Sequence, residues 1–189
     1  MAAGGLGRRG VLKGTMAGLA GLAVRAPLAA RAASPGGLRD LTDRPVTLTV
    51  GGAPAVVIRG RLYAKLLDVP ETARWIIRRQ PDEGQDVYTV ESERGEGGLV
   101  APVDGEDQQL TVQPLAVLPA LSPRFTPNEL WRLAPADDQG PGFTLQSWST
   151  GRYAGRQYWA EDRSLNPKKV AVLPREVSRE DARIDITAV

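Results

Sequence analysis

Bulky residues recur along this chain at matching intervals, and a repeat of that kind constrains architecture before any single element does. Trp75 to Gly84 returns as Trp131 to Gly140 at equal spacing, Tyr88-Thr89-Val90 returns as Phe143-Thr144-Leu145, and Ser92 returns as Ser147. At an offset of 55, Glu106-Asp107-Gln108-Gln109-Leu110 through Leu115-Ala116-Val117-Leu118-Pro119 aligns without gaps on Glu161-Asp162-Arg163-Ser164-Leu165 through Val170-Ala171-Val172-Leu173-Pro174. A shorter copy lies upstream. There Val46-Thr47-Leu48 takes the place of Tyr88-Thr89-Val90 and leads to Trp75, without the Glu-Asp stretch.

Within these repeats, β-branched and aromatic runs between turn signals predict strands at 46–50, 55–58, 61–67, 74–80, 86–92, 97–103, 110–118, 129–135, 142–148, 154–159, 169–173 and 182–188. Helices are disfavoured because 21 Gly and 15 Pro interrupt nearly every window long enough for one. Three sets of four strands, with a bulky residue in each fourth strand (Trp75, Trp131, then Ile184 or Ile186), describe an all-β fold. The expected architecture is a β-trefoil of three four-stranded repeats with the first shortened, and its main alternative is a sandwich of two Greek keys. Trp75, Trp131, Tyr88 and Phe143 stand at repeat-equivalent positions, which assigns them to a shared core. Trp148, Tyr153, Tyr158 and Trp159 crowd into one repeat without counterparts and are the better binding candidates.

The first 32 residues have a different character. Arg8 and Arg9 precede Gly10-Val11-Leu12-Lys13, a weakly apolar run from Gly14 to Val24 follows, and small residues surround Ala30 and Ala32. Arg8, Arg9, Leu12 and Lys13 match the twin-arginine secretion pattern, with cleavage after Ala30 or Ala32. The apolar run is shorter than the roughly 20 residues that a membrane helix needs, so no stable membrane anchor is expected. The expected organisation is a signal at 1–32, a flexible segment at 33–45 and a secreted trefoil domain at 46–189.

Losing the signal leaves 19 basic against 22 acidic side chains, a formal charge of −3, which argues against a nucleic-acid partner. The chain has no Cys and no His. Disulfides, thiolate and imidazole metal ligands, and every nucleophile paired with an imidazole are therefore excluded, so neither a cofactor nor an enzyme is expected. A monomer held together by packing is.

The most distinctive stretch, Gly155 to Val170, connects the second and third strands of the last repeat. At its tip Pro167 fixes its own torsion and pushes Asn166 towards an extended conformation. Glu161, Asp162 and Arg163 stand ready to brace the turn. Tyr153, Gly155-Arg156, the Glu-Asp-Arg-Ser-Leu run at 161–165, Pro167-Lys168 and Val170 through Leu173-Pro174 together resemble the mycospins, the cospin-like serine protease inhibitors of fungi. The likeness is concentrated between Phe143 and Pro174, whereas in those proteins the motif belongs to the first repeat. The resemblance implies a β-trefoil inhibitor of trypsin-like or related serine proteases. It places the inhibitory loop at Arg163, Ser164, Leu165, Asn166, Pro167 and Lys168, with Asn166 or Lys168 to fill the specificity pocket.

Two rival readings use other residues. Gln146-Ser147-Trp148 and Gln157-Tyr158-Trp159 echo the Gln-x-Trp signature of trefoil lectins, but both fall within one repeat instead of recurring once per repeat. Glu106, Asp107, Glu161 and Asp162 offer carboxylates for glycoside hydrolysis, yet the repeat places the two pairs on different lobes.

Overall fold

The computed structural model describes residues 37–67, 71–103, 108–119, 124–136, 142–157, 164–179 and 181–189. The first repeat contains β1 (Pro45–Val50), β2 (Ala53–Ile58), β3 (Arg61–Ala64) and β4 (Arg74–Arg79). The second contains β5 (Val87–Ser92), β6 (Gly98–Val100), β7 (Thr111–Gln113), a short pair β8 (Val117–Leu118) and β9 (Arg124–Phe125), and β10 (Trp131–Pro135). The third contains β11 (Phe143–Ser147), β12 (Ala154–Arg156), β13 (Lys168–Val172) and β14 (Arg183–Ala188).

The first and last strands of each repeat close a six-stranded antiparallel barrel in which β1 pairs β4, β4 pairs β5, β5 pairs β10, β10 pairs β11, β11 pairs β14, and β14 returns to β1. Closure leaves no open edge along this ring. It also excludes the two-sheet sandwich. Register carries the threefold repeat to the level of residues, because Val46 faces Trp75, Tyr88 faces Trp131 and Phe143 faces Ile184. Ile184, not Ile186, therefore occupies the tryptophan position. All six are buried, and burial pushes the Tyr88 hydroxyl above its ordinary range, with Asp86 adding to the effect. A second buried layer, Leu48, Ile77, Val90, Leu133, Leu145 and Ile186, fills the barrel beside them.

Apart from β8 and β9, the remaining strands form three hairpins, β2–β3, β6–β7 and β12–β13, that cap one end of the barrel. Leu62 N–H donates to the Leu110 carbonyl at 3.0 Å, Leu110 N–H donates to that of Val170 at 2.9 Å, and β13 pairs back onto β3. Leu62, Leu110 and Val170 are thus the equivalent buried residues of the cap. This corrects the ladder at an offset of 55, which matched Leu110 with Leu165 and Leu118 with Leu173. Leu110 is buried and Leu165 is 64% exposed, while Leu118 is 47% exposed and Leu173 only 5%. The offset holds for β5 and β11 but not for the third strands, because the chain from Gly155 to its partner Ala171 is five residues longer than that from Val100 to its partner Thr111.

Two further expectations change. The strand expected at 110–118 breaks after Gln113, where Pro114 removes a backbone donor, and Val117–Leu118 turns away to pair with Arg124–Phe125. The segment expected to be flexible up to residue 45 is docked from residue 37 onward. Leu38–Leu41 forms one helical turn, Leu41 is buried, Thr42 bridges Ile77 and Asp43 N–H donates to the Ile77 carbonyl. Leu41 in the core, Leu38 packed against it and the backbone contacts to Ile77 hold it.

The two tryptophans differ in one contact. Trp131 Nε1 donates to the Leu99 carbonyl at 2.9 Å, whereas the buried Trp75 Nε1 has no partner among the described residues. Trp131→Phe leaves a buried carbonyl short of a donor, while Trp75→Phe removes a donor that was already unsatisfied. Urea unfolding should show Trp131→Phe to be the more destabilising by about 1–2 kcal/mol. Equal losses would contradict this account.

Candidate functional site

On so regular a frame, the segments free to touch another molecule are the connections that leave it. The described part of the loop between β12 and β13 begins at Ser164. Ser164, Leu165 and Asn166 are exposed, Pro167 is half-buried, and Lys168 opens β13 opposite Ala64 of β3. Lys168 is only 8% exposed and its Nζ donates to Ser164 Oγ at 2.9 Å. Of the two residues expected to fill a specificity pocket, Asn166 is exposed and Lys168 is turned inward, where it ties Ser164 to the start of β13. Among the described residues of the loop, Leu165 and Asn166 offer the largest exposed side chains. Arg163 and the acidic Glu161 and Asp162 lie outside the described residues, as do the signal residues Arg8, Arg9, Leu12 and Lys13.

The candidate sugar-binding aromatics have structural employment where they are described. Trp148 lies under the Arg132 guanidinium, 4.3 Å from ring centre to carbon, and its backbone N–H donates to the Leu130 carbonyl. Gln146 Nε2 donates to the Gly151 carbonyl at 2.7 Å, so the Gln-Ser-Trp run builds the turn after β11. Tyr153 is half-buried and bridges Gln146. Tyr158, Trp159, Glu106 and Asp107 lie outside the described residues.

The equivalent connection in the first repeat is a two-residue turn. Arg59 and Gly60 are exposed with φ of 51° and 69°, so the chain at this tip is left-handed and offers no extended segment. The second repeat protrudes elsewhere. Between β7 and β10, β8 and β9 form a ribbon whose two legs are fastened by one carboxylate. Glu129, fully buried, accepts from Ala116 N–H through Oε1 at 2.6 Å and from Thr126 N–H through Oε2 at 2.8 Å. Next to it the Asn128 carbonyl accepts from Ala101 N–H, which docks the base of the ribbon on β6. Leu115 approaches the same strand so closely that a Cβ on Gly98 would lie 2.9 Å from its methyl carbons. Sequence reasoning missed the ribbon, although Thr126-Pro127-Asn128-Glu129 carries a capping-box signature that marks such a fastening.

With this geometry in place, comparison with known proteins is informative. The family model for peptidase inhibitor I66 matches residues 33–135, more than half of the chain. The chain belongs to the peptidase inhibitor I66 family. The match spans the first two repeats and ends where β10 ends, so it includes the ribbon and stops short of the stretch between Phe143 and Pro174 on which the sequence resemblance rested. Among solved structures, a proteinase inhibitor from Coprinopsis cinerea is 39% identical over 47% of this chain and 61% of its own, with a TM-score of 0.43. The chain thus covers about three-fifths of that inhibitor's length. A designed threefold-symmetric protein, ThreeFoil, is 11% identical over 77% of this chain and 99% of its own, with a TM-score of 0.55. A Polyporus squamosus lectin is 11% identical over 78% of this chain and 49% of its own, with a TM-score of 0.53. The last two share the fold alone. A sequence search of curated proteins found no match.

Glu129→Gln keeps the shape of the clamp but sets an amide donor against one of two backbone N–H groups. It should lower stability by about 1–3 kcal/mol, read as a lower urea midpoint. An unchanged midpoint would show that the carboxylate does not hold the ribbon.

Proposed function

We propose that this chain is an exported inhibitor of serine proteases that presents the loop around Asn166 to the active site of its target. Membership of a peptidase inhibitor family is the observation that carries the reading. The serine class and the choice of loop rest on the mycospin resemblance of the third repeat. An inhibitor of this kind holds an extended segment in the shape a substrate must adopt, so that little conformational entropy is lost on binding. Pro167 restrains Asn166, the Lys168–Ser164 hydrogen bond closes the loop, and β13 anchors it to β3. Asn166 then enters the specificity pocket with Leu165 in the neighbouring subsite, while Lys168 acts from beneath. A partner contact of this type centres on a few exposed side chains.

Mature protein should inhibit at least one of trypsin, chymotrypsin and subtilisin, and Asn166→Ala or Leu165→Ala should raise the inhibition constant by about 30-fold, the loss of a typical interface hot spot. No inhibition of any of the three at micromolar excess refutes the reading. The export half is separable. Arg8→Lys with Arg9→Lys should leave uncleaved precursor in the cytoplasm of the producing cell, and unaltered export would remove the twin-arginine route.

A further inference from the structure

We infer that the ribbon of β8 and β9 is a second protease-docking element, presenting Leu118 to an endopeptidase whose specificity pocket is apolar. This rests on the inhibitor reading above but on different residues. Consecutive strand residues point to opposite faces, and in β8 both are exposed, Val117 at 55% and Leu118 at 47%. Neither face of the strand therefore packs on the core, and two large apolar side chains are held out into water by a segment whose base is buried. Exposed apolar groups on a rigid support are a recurring mark of an interaction site.

Three observations select an active-site cleft as the occupant. First, the residues matching the peptidase inhibitor family end at 135, so they contain the ribbon and exclude the loop at 164–168. Two other hairpin tips in that stretch, Gly51-Gly52 and Arg59-Gly60, are left-handed and cannot be read as extended substrates. Second, β8 is extended, and Leu118 is followed by Pro119, which keeps it so. A peptide bond to Pro119 carries no N–H, and the ring crowds the nitrogen that a protease must protonate to release it, so Leu118 can occupy a pocket without offering an easily cleaved bond. Third, Glu129 holds a backbone donor from each leg of the ribbon, so the segment is ordered before it meets a cleft and little entropy is lost on binding.

The ribbon and the loop spring from different repeats and rest on different supports, β6 for one and β3 for the other. The test uses mature protein with Leu118→Ala, Leu118→Lys, Leu165→Ala and Asn166→Ala, each at an exposed position, titrated against chymotrypsin, subtilisin and trypsin. Leu118→Ala should weaken inhibition of chymotrypsin or subtilisin by about 30-fold. Leu118→Lys should redirect the ribbon to trypsin, a switch that a merely structural role would not produce, and the two loop variants should leave the chymotrypsin or subtilisin constant unchanged. If both Leu118 variants match wild type against every protease, the ribbon is not a docking element, whatever the loop does. If the Leu118 variants lose inhibition and the loop variants lose none, the ribbon stands and the loop assignment falls. Wild type inert against all three enzymes overturns both.

Discussion

Everything in this molecule depends on the register that sets Val46 against Trp75, Tyr88 against Trp131 and Phe143 against Ile184. A strand slip of one residue would turn each buried side chain outward, so the three pairs must form together or not at all. They lock six strands into a ring without an edge. A chain with no cysteine has no covalent alternative, and at 189 residues it has enough interior for packing to suffice.

That division of labour explains why the connections vary so widely. The three second-to-third-strand connections are a two-residue turn, a stretch of intermediate length and a long loop, yet Leu62, Leu110 and Val170 converge beneath all of them. The inserted ribbon likewise perturbs nothing below it. Long surface insertions cost little because closure entropy grows only slowly with length. The working parts can change while the barrel stays the same.

The barrel was legible in the sequence because bulky side chains must recur wherever three equivalent strands share one interior. Trp75, Trp131, Tyr88 and Phe143 announced it, and only the choice between Ile184 and Ile186 needed the register. Surface segments lack that constraint. The match of Glu106–Pro119 with Glu161–Pro174 rested on residues that do not occupy equivalent places, since Leu118 stands in solvent and Leu173 in the core. The inward turn of Lys168 was equally hidden, because a lysine beside a proline gives no sign of which way its strand will pair.

The two protrusions solve one problem by different chemistry. A segment that is to bind in extended form must be ordered beforehand, or binding will carry the entropy of ordering it. In the loop, an ammonium donates to a hydroxyl and a proline narrows the backbone. In the ribbon, one buried carboxylate holds a backbone donor from each leg. Both devices use charge-assisted hydrogen bonds, but the carboxylate makes two to backbone donors, and removing Glu129 would orphan both at once. The ribbon is therefore the more firmly preorganised of the two at its base, and its order comes from within the second repeat. It is also the one that lies inside the family match.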